Sequence, residues 1–182
     1  MTELIIAALL IVSPSIWLYN RLIRDRNQVQ AAWSDIDVQL MRRHDLVPQL
    51  VATVKAYSSY EKSTMQAVTE LRTRSEAASH LPEKARLEAE IESGIQRLIL
   101  TAEDYPDLKA DNNFRQLQTE LTIIEDHIQY ARRFYNGSVR IYNTRIQSFP
   151  HLLIARPFHF HAAEFFEVQD DSERASPQVE LH

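Results

Sequence analysis

The most constraining feature of this sequence is one helical stripe of apolar residues that begins at Phe114 and ends just before Pro150. The residues of the stripe recur at three-, four- and seven-residue steps: Phe114, Leu117, Leu121, Ile124, Ile128, Ala131, Tyr135, Tyr142, Ile146 and Phe149. This spacing predicts one continuous helix over Asn113 to Phe149, about 50 to 60 Å long. So long a helix needs equally long partners, and the fold class that follows is all-α, an antiparallel bundle of long helices with coiled-coil-like seams.

The composition excludes several other classes of protein. Glycine occurs only at positions 94 and 137, which argues against glycine-rich phosphate loops and against small turn-dense β folds. Cysteine is absent, so disulfide scaffolds, thiolate metal sites and cysteine nucleophiles are ruled out. Gly137 lies inside the predicted long helix, where glycine costs about 1 kcal/mol relative to alanine.

Earlier parts of the chain carry the same helical periodicity. One stripe contains Leu22, Val29, Trp33, Ile36, Leu40, Val47, Leu50, Val51, Val54 and Tyr57. Pro48 lies inside it and predicts either a kink near residues 45–46 or a new helix that begins there. Apolar residues at 65, 68 and 71 mark a second segment, and Pro82 opens a third that ends near Ala102. The sequence leaves open whether residues 61–104 form one bent helix or two.

The N-terminal region predicts a membrane anchor. Residues 4–19 read LIIAALLIVSPSIWLY, without a charge, and Leu22 with Ile23 extends the apolar reach. A spanning helix needs roughly 20 mostly apolar residues, with aromatic side chains at the headgroup level. A cleaved signal peptide or a buried helix is the alternative, but Glu3 precedes the run and bulky residues follow it. We therefore expect a single-pass transmembrane helix that contacts the lipid bilayer through residues 4–23.

The charges beside this run predict its orientation. Arg21, Arg24 and Arg26 lie on its C-terminal side, so the positive-inside rule places the body in the cytoplasm. The net charge of −5 comes from the end of the chain, where six acidic residues face only Arg174. A charge-balanced body with an acidic tail is a poor partner for nucleic acid, so nucleic-acid binding is not expected.

These patterns divide the chain into four predicted regions. Residues 1–26 are the anchor and 27–150 the helical bundle domain, while 151–168 are expected to pack as a C-terminal segment. Residues 169–182 are polar and acidic, which is typical of a disordered tail.

Three long blocks and a short ending carry a resemblance to a known family. The blocks are YNRLIRDRNQVQAAWSDIDVQLMRRHDLVPQLVATVKAY, YPDLKADNNFRQLQTEL and ARRFYNGSVRIYNTRIQSFP, and the ending is AEFFE. In this order, behind an apolar N-terminal run, they closely resemble the LemA family of bacterial membrane proteins. The resemblance implies an N-terminal membrane helix, an antiparallel helical bundle and no established biochemical activity. One branch of the family is known from magnetosome membranes.

Candidate metal and catalytic residues are few. His159 and His161 could lie on one side of an extended segment, with Glu164 completing a set of ligands, but a catalytic zinc needs three well-placed ligands on a rigid frame. We therefore expect surface histidines, no metal and no cofactor. His44 and His127 have no serine or carboxylate at a spacing that defines a nucleophile and its base, and we assign no catalytic residue.

A set of polar residues is the best candidate for partner binding. Asp35 and Asp37 flank a core position, and their side chains diverge by about 200° on a helix, so they do not form a catalytic dyad. Arginine, asparagine and tyrosine each repeat at seven residues on the long helix. The candidates are Asp35, Asp37, Arg133, Asn136, Arg140 and Asn143. Interhelical hydrogen bonds that fix register are the favoured role, through an Asp to Arg contact, and a polar groove for a protein partner is the alternative.

The sequence thus predicts a membrane-anchored scaffold or adaptor that is not an enzyme, with a protein partner and a possible homo-oligomer. The alternatives are a membrane-associated hydrolase or metal-dependent factor, or a role in the biogenesis of a magnetosome-like membrane compartment.

Overall fold

The structure of the protein is a computed structural model that describes residues 1–57 and 62–167. The side chains at positions 4, 5, 7 to 9 and 11 lie outside the described part, and so does the predicted tail over 169–182. The described residues are all-α: α1 is Thr2–Tyr57, α2 Lys62–Ala77, α3 Leu81–Thr101, α4 Pro106–Ala110, α5 Asn112–Gln147 and α6 Leu152–Ala155, with a 3-10 turn at Ala102–Asp104. The described residues confirm the all-α part of the predicted fold class.

The structure decides two alternatives that the sequence left open. α1 continues through Pro48, so the alternative in which a new helix begins at that proline is wrong. Between residues 62 and 101 there are two helices, α2 and α3, because residues 78–80 interrupt them. Pro82 lies in the first turn of α3, as its missing N–H predicts.

The long helix α5 is confirmed, but its N-terminal cap differs from the expected one. Asn113 and Gln116 have capping-box spacing, yet the helix begins at Asn112 and the cap is Asp111. The Asp111 Oδ1 accepts a hydrogen bond from the backbone N–H of Phe114 at 2.9 Å. This bond, followed by one from the Tyr57 hydroxyl, holds the pKa of Asp111 below its ordinary value.

The chain divides into two compact units, of which unit 1 comprises residues 1–46 and 116–165. In it α1 and α5 are antiparallel, because contacts at rising positions of α1 are made by falling positions of α5. Asp25 forms an ion pair with Arg145, and Arg43 forms one with Glu125. Between them, the ring of Trp33 packs against that of Tyr135. The stripe predicted on α5 is mostly buried, with Leu121 4% and Ile128 2% exposed. Phe149 is 80% exposed because the helix ends before it.

Among the described residues, unit 2 comprises 47–57, 62–115 and 166–167. α2 and α3 pack as an antiparallel pair, in which Val68 faces Gly94 and the hydroxyl of the buried Ser75 donates to the carboxylate of the buried Glu88. At the end of α1, the Tyr57 hydroxyl donates to Asp111 Oδ2 at 3.0 Å.

The predicted membrane span is not supported by the structure. Over the residues that the structure describes, none of the helices combines the length and the apolarity that crossing a membrane requires. Six positions of the predicted anchor lie among the undescribed side chains.

Candidate partner-binding surface

α5 carries a second row of apolar side chains that the bundle does not cover. Ile123, Tyr130, Phe134 and Ile141 are 51%, 68%, 43% and 57% exposed. Their steps of seven, four and seven residues place them on one face of the helix, over a length of about 27 Å. We call these four residues the outer stripe. A row of this kind is unusual on the surface of a monomer, where scattered single apolar residues are the rule.

The outer stripe has the spacing of a coiled-coil seam. His127 and Gly137 fill the two positions that complete alternating steps of four and three between Ile123 and Ile141. A Cβ added at Gly137 would meet nothing within 4 Å. The stripe therefore contains an open notch between Phe134 and Ile141, where a side chain from another helix would fit.

A shallow groove lies beside the stripe in unit 1. Its volume is about 350 Å³, and its lining combines apolar and polar groups of α1 and α5: Asp35, Gln39, Asp126, His127, Tyr130, Ala131 and Phe134. Aromatic side chains next to carboxylates suit an amphipathic ligand better than a small apolar one.

Three of the six predicted partner or interhelix residues lie at this surface. Asp35 is exposed and lines the groove. Arg133 and Arg140 are exposed, and each immediately precedes a residue of the outer stripe. In a coiled coil, residues at this position flank the apolar seam and choose the partner by charge. The structure therefore brings the two arginines to one side of the stripe, where they face solvent.

The other three predicted residues lie deeper. Asp37 and Asn136 are half-buried and take part in polar or electrostatic interactions. The Asn143 side chain donates to the backbone oxygen of Ala163 at 2.9 Å and accepts from its N–H at 2.8 Å. These two bonds of Asn143 run to the C-terminal segment and not to a second helix, as the sequence interpretation had expected of an interhelical contact.

The ion pairs between α1 and α5 use residues that the sequence interpretation did not select. Asp25 Oδ2 and Arg145 Nη1 are 2.5 Å apart, and Arg43 Nη1 donates to Glu125 Oε2 at 2.9 Å. Arg43 is 3% exposed, so its pair is shielded from solvent on the arginine side. The sequence did contain a signal for the Arg43 pair. Arg43 lies one turn from Leu40 and Val47, so it places a charge inside an otherwise apolar seam that needs a partner.

The C-terminal segment also binds unit 1 through a tyrosine. The Tyr135 hydroxyl donates to the backbone oxygen of Glu164 at 2.8 Å. Burial, followed by the negative charge of Glu164, raises the pKa of Tyr135 above its ordinary value, so the donor stays protonated. Together with Asn143, this bond fixes residues 163–164 along α5.

Residues 151–160 pack beside residues 17–26 of α1, the stretch that contains its arginines. The Trp17 and His151 ring centroids are 6.3 Å apart, and the Tyr19 ring lies 5.0 Å from Phe158 and 5.8 Å from Phe160. The Arg26 guanidinium lies 5.5 Å from the centre of the Phe160 ring, a cation–π contact. Burial, followed by the charge of Arg145, lowers the pKa of His151.

The two histidines considered as metal ligands lie in the C-terminal segment. His159 and His161 stack with ring centroids 6.5 Å apart. Among residues 1–57 and 62–167, no three histidine or carboxylate groups lie close enough to hold a metal ion. Unit 2 has two larger open cavities, of about 580 Å³ against Arg86 and Arg97 and about 710 Å³ against Lys55 and Glu70.

The amino-acid sequence is similar to those of several known proteins. The sequence profile described as the LemA family matches residues 32–181. The chain is 28% identical to Protein LemA of Metamycoplasma hominis over 83% of its own length and 69% of that protein. It is 24% identical to Magnetosome protein MamQ 1 of Paramagnetospirillum magneticum, and 23% identical to Magnetosome protein MamQ of Magnetospirillum gryphiswaldense. Both of these matches cover 88% of the chain and 70% of the relative. These names state no catalytic activity.

Proposed function

The chain belongs to the LemA family, and we propose that it is a non-enzymatic, membrane-anchored adaptor that binds an amphipathic helix of another protein along the outer stripe. The observation that carries this proposal is the exposed row Ile123, Tyr130, Phe134 and Ile141 with its open notch at Gly137.

Support for the helical partner comes from the geometry of the stripe. Seam spacing over about 27 Å matches four turns or more of a second helix, which is a recurring mode of peptide recognition. The notch at Gly137 allows close approach of that helix. A globular partner with a flat surface would gain nothing from alternating three- and four-residue steps.

Support for the chemistry of the partner comes from charge. Arg133 and Arg140 flank one side of the stripe at a spacing of seven residues, so the helix that fits there carries acidic residues at the same spacing. A guanidinium binds a carboxylate with two parallel hydrogen bonds, which fixes register as well as orientation.

Support for the anchor comes from the sequence. Residues 4–19 contain no charge, α1 begins at Thr2, and arginines follow at 21, 24 and 26. We propose that this part of α1 spans the inner membrane once, with the bundle in the cytoplasm. The magnetosome relatives favour a role in organising a membrane compartment as the second candidate function, with the same anchor and surface.

Site-specific photo-cross-linking in cells tests the adaptor role. The photoreactive residue p-benzoylphenylalanine is placed at Tyr130 or Ile141 on the stripe, and at exposed Gln118 on another face of α5 as the matched control. We expect the two stripe positions to cross-link to one protein, through a segment with acidic residues spaced by seven, and the control position not to do so.

Three results would count against this role. Equal cross-linking from Gln118 would mean that the partner contacts α5 without preferring the outer stripe. Cross-linking only to a second copy of this chain would replace the adaptor by a homo-oligomer. Cross-links to a partner that survive Arg133→Glu together with Arg140→Glu would remove the charge argument.

Protease protection tests the anchor and its orientation. In cells with a permeabilised outer barrier, we expect the body to resist added protease and the full-length chain to stay in the membrane fraction. Trimming of the body would reverse the orientation, and a released chain that lacks the first residues would identify a signal peptide.

A further inference from the structure

The end of α5 and the segment after it expose three large apolar side chains close together in sequence. Phe149, Leu153 and Phe158 are 80%, 63% and 59% exposed, although the backbone of residues 148–160 is held by a series of local hydrogen bonds. These residues therefore do not belong to a loose segment without neighbours. We call the three side chains the apolar collar.

The collar lies beside one level of α1. Trp17 contacts His151 and Tyr19 contacts Phe158, so the segment that carries the collar runs past residues 17–19. The pairing of Asp25 with Arg145 places the last turn of α5 within about 10 Å of that level along α1. Ile16 and Trp17 on α1 are themselves 55% and 59% exposed.

This level is where the apolar run meets the arginines. The apolar run 4–19 ends at Tyr19, and after Asn20 the residues Arg21, Arg24 and Arg26 follow within about 11 Å along the helix. Aromatic side chains with cationic neighbours are the chemistry of the headgroup region of a bilayer, where the rings enter the acyl boundary and the cations meet lipid phosphates. Arg156 adds an exposed cation on the segment itself.

We propose that the apolar collar is a second membrane-contacting element, which inserts Phe149, Leu153 and Phe158 into the interfacial layer beside α1. The inference rests on the proposed anchor, because the collar reaches a bilayer only if residues 4–19 are inserted in it. The occupant is the lipid surface: the collar is continuous with the apolar run and shares its basic border. A side-by-side second copy would need a matching seam, and the three side chains have no heptad spacing.

Fluorescence quenching by brominated lipids tests the inference. The full-length chain with Trp17→Phe and Trp33→Phe receives one tryptophan as Leu153→Trp or Phe158→Trp, and is reconstituted into phosphatidylcholine and phosphatidylglycerol vesicles brominated near the start of the acyl chains. The control is Tyr130→Trp, an exposed aromatic position about 25 Å before the end of α5. We expect brominated lipid to quench the two collar tryptophans at least twofold and the control hardly at all.

The outcomes separate this inference from the anchor on which it rests. Flotation of the vesicles reports anchoring directly, and circular dichroism reports folding of each variant. Variants that float and are folded, but whose collar tryptophans resist quenching, overturn the collar and leave the anchor standing. Failure of the unmodified chain to float overturns both. Equal quenching at Tyr130→Trp would mean that α5 lies on the membrane surface, which also contradicts an interfacial collar.

Discussion

The side-chain amide of Asn143 and the backbone of Ala163 form two hydrogen bonds, at 2.9 and 2.8 Å, so one residue of α5 satisfies both backbone polar groups of one residue in the C-terminal segment. The arrangement works like one rung of a β ladder, with an asparagine in place of the second strand. It holds the segment at a defined position along α5.

Asn143→Leu is expected to release this segment. The substitution leaves the N–H and C=O of Ala163 without partners at a half-buried position, which lowers the free energy of unfolding by about 1 to 3 kcal/mol. Hydrogen exchange at the Ala163 amide should become faster, by a factor that corresponds to the same loss of free energy. Gln118→Leu is the control on the exposed face of α5, and equal effects of the two variants would contradict the prediction.

The two glycines are expected to respond to alanine with opposite signs. A Cβ at Gly94 would overlap Val68 Cγ2, and valine has little rotamer freedom with which to move away. Gly94→Ala should destabilise unit 2 by about 1 to 3 kcal/mol. Gly137→Ala enters open space inside α5 and should stabilise the protein by about 0.5 to 1 kcal/mol. Chemical unfolding of both variants gives the comparison, and the same sign in both would show that one environment is misassigned.

Aspartate substitutions are expected to distinguish the buried apolar face of α5 from the outer stripe. Ile128→Asp buries an unpaired charge at a position that is 2% exposed and should lower the free energy of unfolding by about 3 kcal/mol or more. Ile141→Asp, at a position 57% exposed, should change it by about 0.5 kcal/mol or less while removing the photo-cross-links that position 130 forms with the partner. Thermal melting and cross-linking of both variants decide the matter. A stable Ile128→Asp would mean that the buried face is elsewhere.

The Arg43 to Glu125 pair is expected to be worth more than the exposed pairs. Because the Arg43 side chain is only 3% exposed, Arg43→Met removes a shielded charge-assisted hydrogen bond to Glu125, and should cost about 1.5 to 3 kcal/mol even though Glu125 keeps its bond from Gln129. Arg86→Met removes the exposed pair with Glu90 and should cost about 0.5 kcal/mol. A double-mutant cycle with Glu125→Gln should give a coupling energy above about 0.5 kcal/mol, and additivity would show that Arg43 is stabilised by its other contacts.

His151 is expected to make stability depend on pH. Burial, then the charges of Arg145 and Arg21, lower its pKa below the ordinary 6.5 against the opposing effect of Asp25. The unfolded chain therefore binds the proton more tightly, so the stabilising contribution is present above pH 6.5 and is lost as the pH falls through that value. Unfolding between pH 5.5 and 8 should show this slope reduced in His151→Asn. A titration of His151 by nuclear magnetic resonance with a midpoint above 6.5 would reverse the sign.

Periodicity in the sequence was sufficient to predict α5 and its buried face, because apolar spacing records which side of a helix meets the core. It was not sufficient for Pro48, since packing on both sides of the residue decides whether a helix survives the loss of one hydrogen bond. The position of Phe149 was also missed, because the last member of a stripe is buried only when the helix reaches it.

The candidate polar residues show the same division. Repeats at seven placed Arg133 and Arg140 on one face of α5, and the structure places them beside the outer stripe. The stripe itself was overlooked because its apolar residues are interleaved with a stronger buried pattern. Asn143 was among the selected residues, but its partner at Ala163 lies in a segment without periodicity, and no spacing rule connects the two.

The antiparallel contacts of unit 1 constrain how this family can change in length. Each step forward on α1, from Asp25 to Arg43, is matched by a step back on α5, from Arg145 to Glu125. A seven-residue deletion between the two ion pairs in one helix alone would separate the charged partners of one pair and bring ill-fitting side chains opposite each other. The same deletion in both helices, between these two ion pairs, would leave each ion pair intact. Insertions and deletions in this part of LemA proteins should therefore occur as matched pairs, and a lone one should mark a relative whose two helices have lost their common register.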